Sequence, residues 1–143
     1  MCGEQNIDLN NIDIEVLSAR FIHKLIIHSH LKGYKYLILA ITLGVKDVFS
    51  TGTNYIDYAS ILKRVSYHFD TNSKCVERSI RIAINNTYQK YPECYRDVFL
   101  CDSRPTSKNV IACAVDYIIL YIKSEYNKQT LSNKENLVMK SRF

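Results

Sequence analysis

Residues 55–91 read YIDYASILKRVSYHFDTNSKCVERSIRIAINNTYQKY, and the fold turns on how that stretch divides. Tyr55, Tyr58 or Ala59, Leu62, Val65 and Phe69 recur at helical spacing and leave Lys63 and Arg64 on the outer face. The polar run Asp70-Thr71-Asn72-Ser73 follows and holds two or three residues able to cap a helix. A second stripe begins at once: Val76, Ile80, Ala83 or Ile84, Thr87 and Tyr91, with Pro92 as its stop. The pattern predicts helices over about 55–69 and 74–90 joined by a short polar turn. That is a helix-turn-helix, whose second helix enters the major groove of DNA.

The polar face of the second helix suits that task. Lys74, Glu77, Arg78, Arg81 and Asn85 stand at offsets 0, 3, 4, 7 and 11 and share one side. Arg bonds guanine O6 and N7 in a bidentate pair, Glu accepts from cytosine N4, and Asn pairs with adenine. The bland alternative is a solvated face in which Glu77 and Arg81 form an i,i+4 ion pair.

Outward from this core stretch, four more helices are expected. Ile14, Leu17, Phe21, Ile22, Leu25 and Ile26 mark the first, capped by Asn11 or Asp13 and ending near His28. Gly33 reads as a break, and an almost wholly apolar helix from about 34 to 46 should be the most buried one. A short helix over about 93–100 leads to Asp102-Ser103-Arg104-Pro105. Thr106 or Ser107 then caps a sixth helix over about 108–123. The expected organisation is an acidic leader (1–11), a helical domain (12–126) and a polar basic tail (127–143), frayed or mobile after Tyr126. The fold class is therefore all-α, with six helices.

Composition supports this and adds a charge argument. The chain has 143 residues with only 4 Gly and 2 Pro, too few turn-formers for a β-sandwich. Its net charge is +5, but residues 1–15 carry −4 and the remainder carries +9. Nucleic acid is the commonest partner of so basic a surface. Five cysteines, an odd number without a CxxC, suggest reduced thiols in a cytosol. No signal peptide stands out, and the apolar run from Tyr36 to Val45 is well short of the ~20 residues that span a bilayer. The expectation is a cytoplasmic, nucleoid-associated protein that avoids membranes.

Three separate stretches also carry a family resemblance. His30-Leu31-Lys32-Gly33-Tyr34-Lys35-Tyr36-Leu37 resembles the opening of the C-terminal effector domain of the stage-zero sporulation protein A family. Val76-Glu77-Arg78-Ser79-Ile80-Arg81 resembles its recognition-helix signature, and Arg104-Pro105-Thr106 the start of its last helix. The order and spacing match over about 20–122. The resemblance implies a six-helix domain that binds short promoter boxes, often as head-to-tail copies, and touches RNA polymerase. It implies that Glu77 and Arg78 read bases and that Arg81 meets DNA on a phosphate.

Departures from the family pattern matter as well. Cys75 stands where the family has Arg, Ile82 where it has His, and Leu62-Lys63 where it has Tyr-Pro. About a dozen polar residues precede the first helix, so no phospho-receiver domain is expected ahead of this effector. Such a protein would be set by its abundance or by a partner.

The site expected is thus Glu77 and Arg78 on bases, with Lys63, Arg64, Ser73, Lys74, Arg81 and Asn85 on phosphates. Cys75, at the start of a basic helix beside Lys74, is a candidate redox residue. His28, Ser29 and His30 lack the spacing of a metal site. No glycine-rich phosphate loop, Ser-His-Asp order or paired-carboxylate site stands out, so neither enzyme activity, metal nor cofactor is expected. Two functions compete. One is a sequence-specific transcription regulator on double-stranded promoter DNA, working as a homodimer on tandem boxes and contacting RNA polymerase. The other is a helix-turn-helix decoy that binds a regulator or the polymerase and has lost its DNA face.

Overall fold

Four of the six described helices start where a side chain accepts from one of the first free N–H groups. Asp13 accepts from the Val16 N–H at 3.1 Å and opens α1 (Ile14–Lys24). Asp57 accepts from Ser60 N–H and opens α3 (Tyr58–His68); Asn72 accepts from Cys75 N–H and opens α4 (Ser73–Lys90). Between them run α2 (Lys32–Thr51), then α5 (Pro92–Phe99) and α6 (Ser107–Ser141). The computed structural model describes residues 12–53 and 55–141, with side chains as far as 134. Among the described residues there are six helices and no strand, the all-α architecture expected. The acidic stretch 1–11, with Asn11 as the alternative cap, lies outside them.

The helix α2 is the hub. It packs against α1, α3, α4 and α6, and buries Leu37, Ala40, Ile41, Val45 and Val48. It begins at Lys32 and runs to Thr51, longer than the expected 34–46. Gly33 is therefore no break; it is a buried residue of the first turn. A Cβ there would lie 2.6 Å from the Ser79 carbonyl oxygen and 2.8 Å from Ala83 Cβ. Only glycine lets α2 and α4 approach this closely.

The first helix stops at Lys24, short of the expected His28. Ile26 takes φ 58°, a left-handed conformation costly for a β-branched residue. The flanking Leu25 and Ile27 are both fully buried, and that burial offsets the strain.

The turn between α3 and α4 is a Schellman motif. Asp70 N–H donates to Tyr67 O and Thr71 N–H to Ser66 O. Asp70 supplies the left-handed residue at φ 54°, a place where glycine is usual. This fixes the angle at which α4 leaves α3, and hence which face of α4 meets solvent.

Tyr95 anchors α5 on α4. It is 1 % exposed, hydrogen-bonded to Thr87, and edge-on to Tyr88 at 5.5 Å. Burial pushes its hydroxyl up to about 12 from the ordinary 10.0. The folded state therefore holds this proton more tightly than the unfolded state. Its contribution is fully present below pH 10 and is lost as pH rises toward 12. Thermal melting at pH 9 and 11 should show a Tm fall in the wild type that Tyr95→Phe largely removes.

The last helix begins as expected, with Thr106 accepting from Asn109 N–H at 3.1 Å. Val110, Ile111, Ala114, Val115, Ile118, Ile119 and Ile122 are buried against the rest of the bundle. The backbone then stays helical through Ser141, beyond the expected end near Lys123 and through most of the stretch read as a tail. From Lys123 to Lys134 no side chain is buried. Packing sets the domain's edge at Ile122, while local helical preference carries the backbone further.

Candidate nucleic-acid interface

One side of α4 is locked into the core and the opposite side is open. Val76, Ile80, Ala83, Ile84 and Thr87 are buried. Lys74, Arg78 and Arg81 are exposed on the far side, and Ser73 is half-buried at the first position of the helix. The N-terminus of α4, with its positive dipole end, lies beside Lys74. A phosphate is well received at such an end.

The expected site residues are not all equally free. Arg81 pairs with Glu77 at 3.3 Å, the intrahelical ion pair weighed above. Arg78 has an exposed side chain and no ion pair among the described residues. Arg64 differs from the expectation more sharply. Its guanidinium grips the Asp47 carboxylate of α2 through both nitrogens, which raises its pKa. This bidentate pair ties α3 to α2 and neutralises Arg64 in place. Lys63, one residue earlier, stays exposed and outside every ion pair among the described residues.

Asn85 is half-buried, and its Oδ1 has no hydrogen-bond partner. The segment 104–107 lies against it, together with Glu77 and Arg81, around a small cleft. Sequence reasoning missed this neighbourhood. The signal was present in Arg104-Pro105-Thr106, read there only as the start of a helix.

Cys75 and Ile82 are both exposed on α4. Two of the departures noted in the sequence therefore fall on the open side. Tyr67, 90 % exposed, lines an open groove with Lys63, Arg64 and His68 on the flank of α3. Cys94 is half-buried, Cys101 is exposed, and no cysteine is bonded to another among the described residues. No group of three or more His, Cys, Asp or Glu able to hold a metal occurs among the described residues. Nor is any described helix long and apolar enough to cross a membrane.

The family model described as "Sporulation initiation factor Spo0A C terminal" matches residues 19–118, more than two thirds of the chain. The chain belongs to that family. The match takes in α2 to α5 whole and the first part of α6, and so the entire helix-turn-helix. The Spo0A C-terminal family is a DNA-binding, sporulation-regulating effector domain rather than an enzymatic one. In this member α4 is held at Gly33 by α2 and angled by the Schellman turn.

Proposed function

We propose that this chain is a sequence-specific transcription regulator that inserts α4 into the major groove of double-stranded promoter DNA. One observation carries the reading. Arg78 projects, unpaired, from the open side of a helix whose other side is wholly buried. It is placed to bond guanine O6 and N7, with Glu77 beside it as the acceptor for cytosine N4. Lys63, Ser73, Lys74, Arg81 and Asn85 hold flanking phosphates. Arg64 serves instead as the strut between α3 and α2. Pairing of two copies on tandem boxes and contact with RNA polymerase belong to the same proposal and rest on the family alone.

The exposure of Cys75 and Ile82 favours one second reading, a decoy whose DNA face has been lost. An apolar residue also has a use in the groove, since it can pack on a thymine methyl. Selection of duplexes from a random pool, followed by gel-shift titration at two salt concentrations, separates the two. A regulator enriches a defined box and binds it more tightly at low salt. A decoy enriches nothing and is retained by no duplex.

The ion pair sets a further expectation. Lys74→Ala removes one phosphate contact and should flatten the log–log salt slope by about 0.9 on all duplexes alike. Arg81→Ala should weaken all duplexes more than Lys74→Ala does, because it also leaves the Glu77 carboxylate uncompensated beside DNA. Restoration of affinity for a scrambled, non-specific duplex by adding Glu77→Gln to Arg81→Ala, measured by the same titration, checks this.

A further inference from the structure

A cleft of about 130 Å³ opens beside the exposed side of α4, where the start of α6 passes it. Glu77, Arg81, Asn85, Arg104, Thr106 and Ser107 line it. Two guanidinium groups thus face one small cavity, whose walls also include Ile84 and Pro105. Arg81 is already half-committed to Glu77; Arg104 is exposed and has no partner among the described residues.

The cavity also collects polar atoms with nothing to bond. Ser107 is 7 % exposed, and its Oγ has no hydrogen-bond partner. Asn85 Oδ1, which also lines the cleft, is buried and equally without one. Ser107 lies close enough to Tyr58 to pull its pKa down against the larger upward push of burial, yet no well-formed bond joins them. Native proteins rarely leave several such groups unsatisfied, and a missing ligand is a standard reason for it.

The backbone adds two donors. Thr106 takes up the Asn109 N–H with its side chain and the Val110 N–H with its carbonyl. The N–H groups of Ser107 and Lys108 have no acceptor within the helix. They point out of the positive end of the longest helix in the fold.

We propose that this cleft is a seat for a phosphate oxyanion, held by Arg104 and Arg81, by the Ser107 hydroxyl and by the first N–H groups of α6. The cleft flanks the groove-facing side of α4, where the sugar–phosphate strand runs when such a helix lies in the major groove. The DNA backbone is one source of the phosphate, and in that arm the proposal rests on the function argued above. A free phosphate group is the other source, and that arm needs no DNA.

Both arms are tested with the full chain and its Arg104→Gln variant; Ser107→Ala serves as an independent second variant. Inorganic phosphate is titrated at constant ionic strength against chloride while backbone amide signals are followed by NMR. On duplexes, the salt slope of binding is measured for each protein. A slope shallower by about 0.9 in Arg104→Gln, with the same box preferred, places the phosphate on the DNA strand. A saturable, phosphate-specific shift of the Ser107 and Lys108 signals, absent in the variant, supports the seat with free phosphate as its source. That shift seen in a wild type retained by no duplex would sink the DNA function and leave the seat standing. A wild-type slope in both variants, together with no phosphate-specific shift, overturns the proposal.

Discussion

Arg78→Ala is expected to erase most of the preference for the selected box while leaving non-specific DNA binding nearly intact. A bidentate arginine–guanine pair supplies about 1–3 kcal/mol of discrimination, so the specific-to-nonspecific ratio should fall roughly 5- to 150-fold. The salt slope should hardly change, because Arg78 is assigned to bases and not to phosphates. The fold should also be untouched, since the side chain is exposed and outside every ion pair among the described residues. Competition gel shifts with the selected box and a scrambled duplex read the ratio directly. Unchanged discrimination would show that Arg78 does not read the box.

Gly33→Ala should produce the largest loss of stability and should damage DNA binding from a distance. The new Cβ meets the Ser79 carbonyl at 2.6 Å and Ala83 Cβ at 2.8 Å, both on α4. One of these atoms is backbone and cannot rotate away, so one helix must shift. Overpacking of this kind costs about 1–3 kcal/mol. For a domain of this size, Tm should fall by roughly 5–10 °C. Shifting α4 also displaces Arg78 relative to Lys63 on α3, so affinity for the box should drop even at temperatures where the variant is folded. Thermal melting and a titration at 10 °C separate the two effects. A variant with wild-type Tm would mean that α2 and α4 are not packed at this distance.

The contrast between Gly33 and Asp70 explains what could be read from the chain alone. Helical periodicity made all six helices legible, and the buried stripe of α4 fell where the spacing placed it. Gly33 was misread as a break because glycine signals a turn locally, whereas here its role is a contact with a carbonyl 46 residues further on. Asp70 was read only as polar turn; its left-handed backbone follows from the path the chain must take between α3 and α4. Chain ends were less legible for the same reason. The start of α2 depends on its fit against α4, and α6 outlasts the core because no strong breaker follows Tyr126.

The candidate site divides in the same way. Lys74 and Arg78 share the open side of α4 because a helical period of 3.6 puts them there, and nothing in the tertiary structure claims them. Arg64 cannot be told from Lys63 by sequence. Only the approach of α2, carrying Asp47, removes one and spares the other. The cleft at Ser107 and Arg104 required two segments nearly 20 residues apart to meet, and periodicity within either segment says nothing of it.

The central claim is that α4 lies in the major groove with Arg78 on guanine. Methylation interference tests it most directly. The selected box is partly methylated at guanine N7, and bound and free duplexes are separated and mapped. The account predicts that N7 methylation at one or two guanines excludes the wild-type protein, and that Arg78→Ala becomes indifferent to those same positions. Tight, box-specific binding that no N7 methyl group disturbs would place the protein outside the major groove and contradict the account.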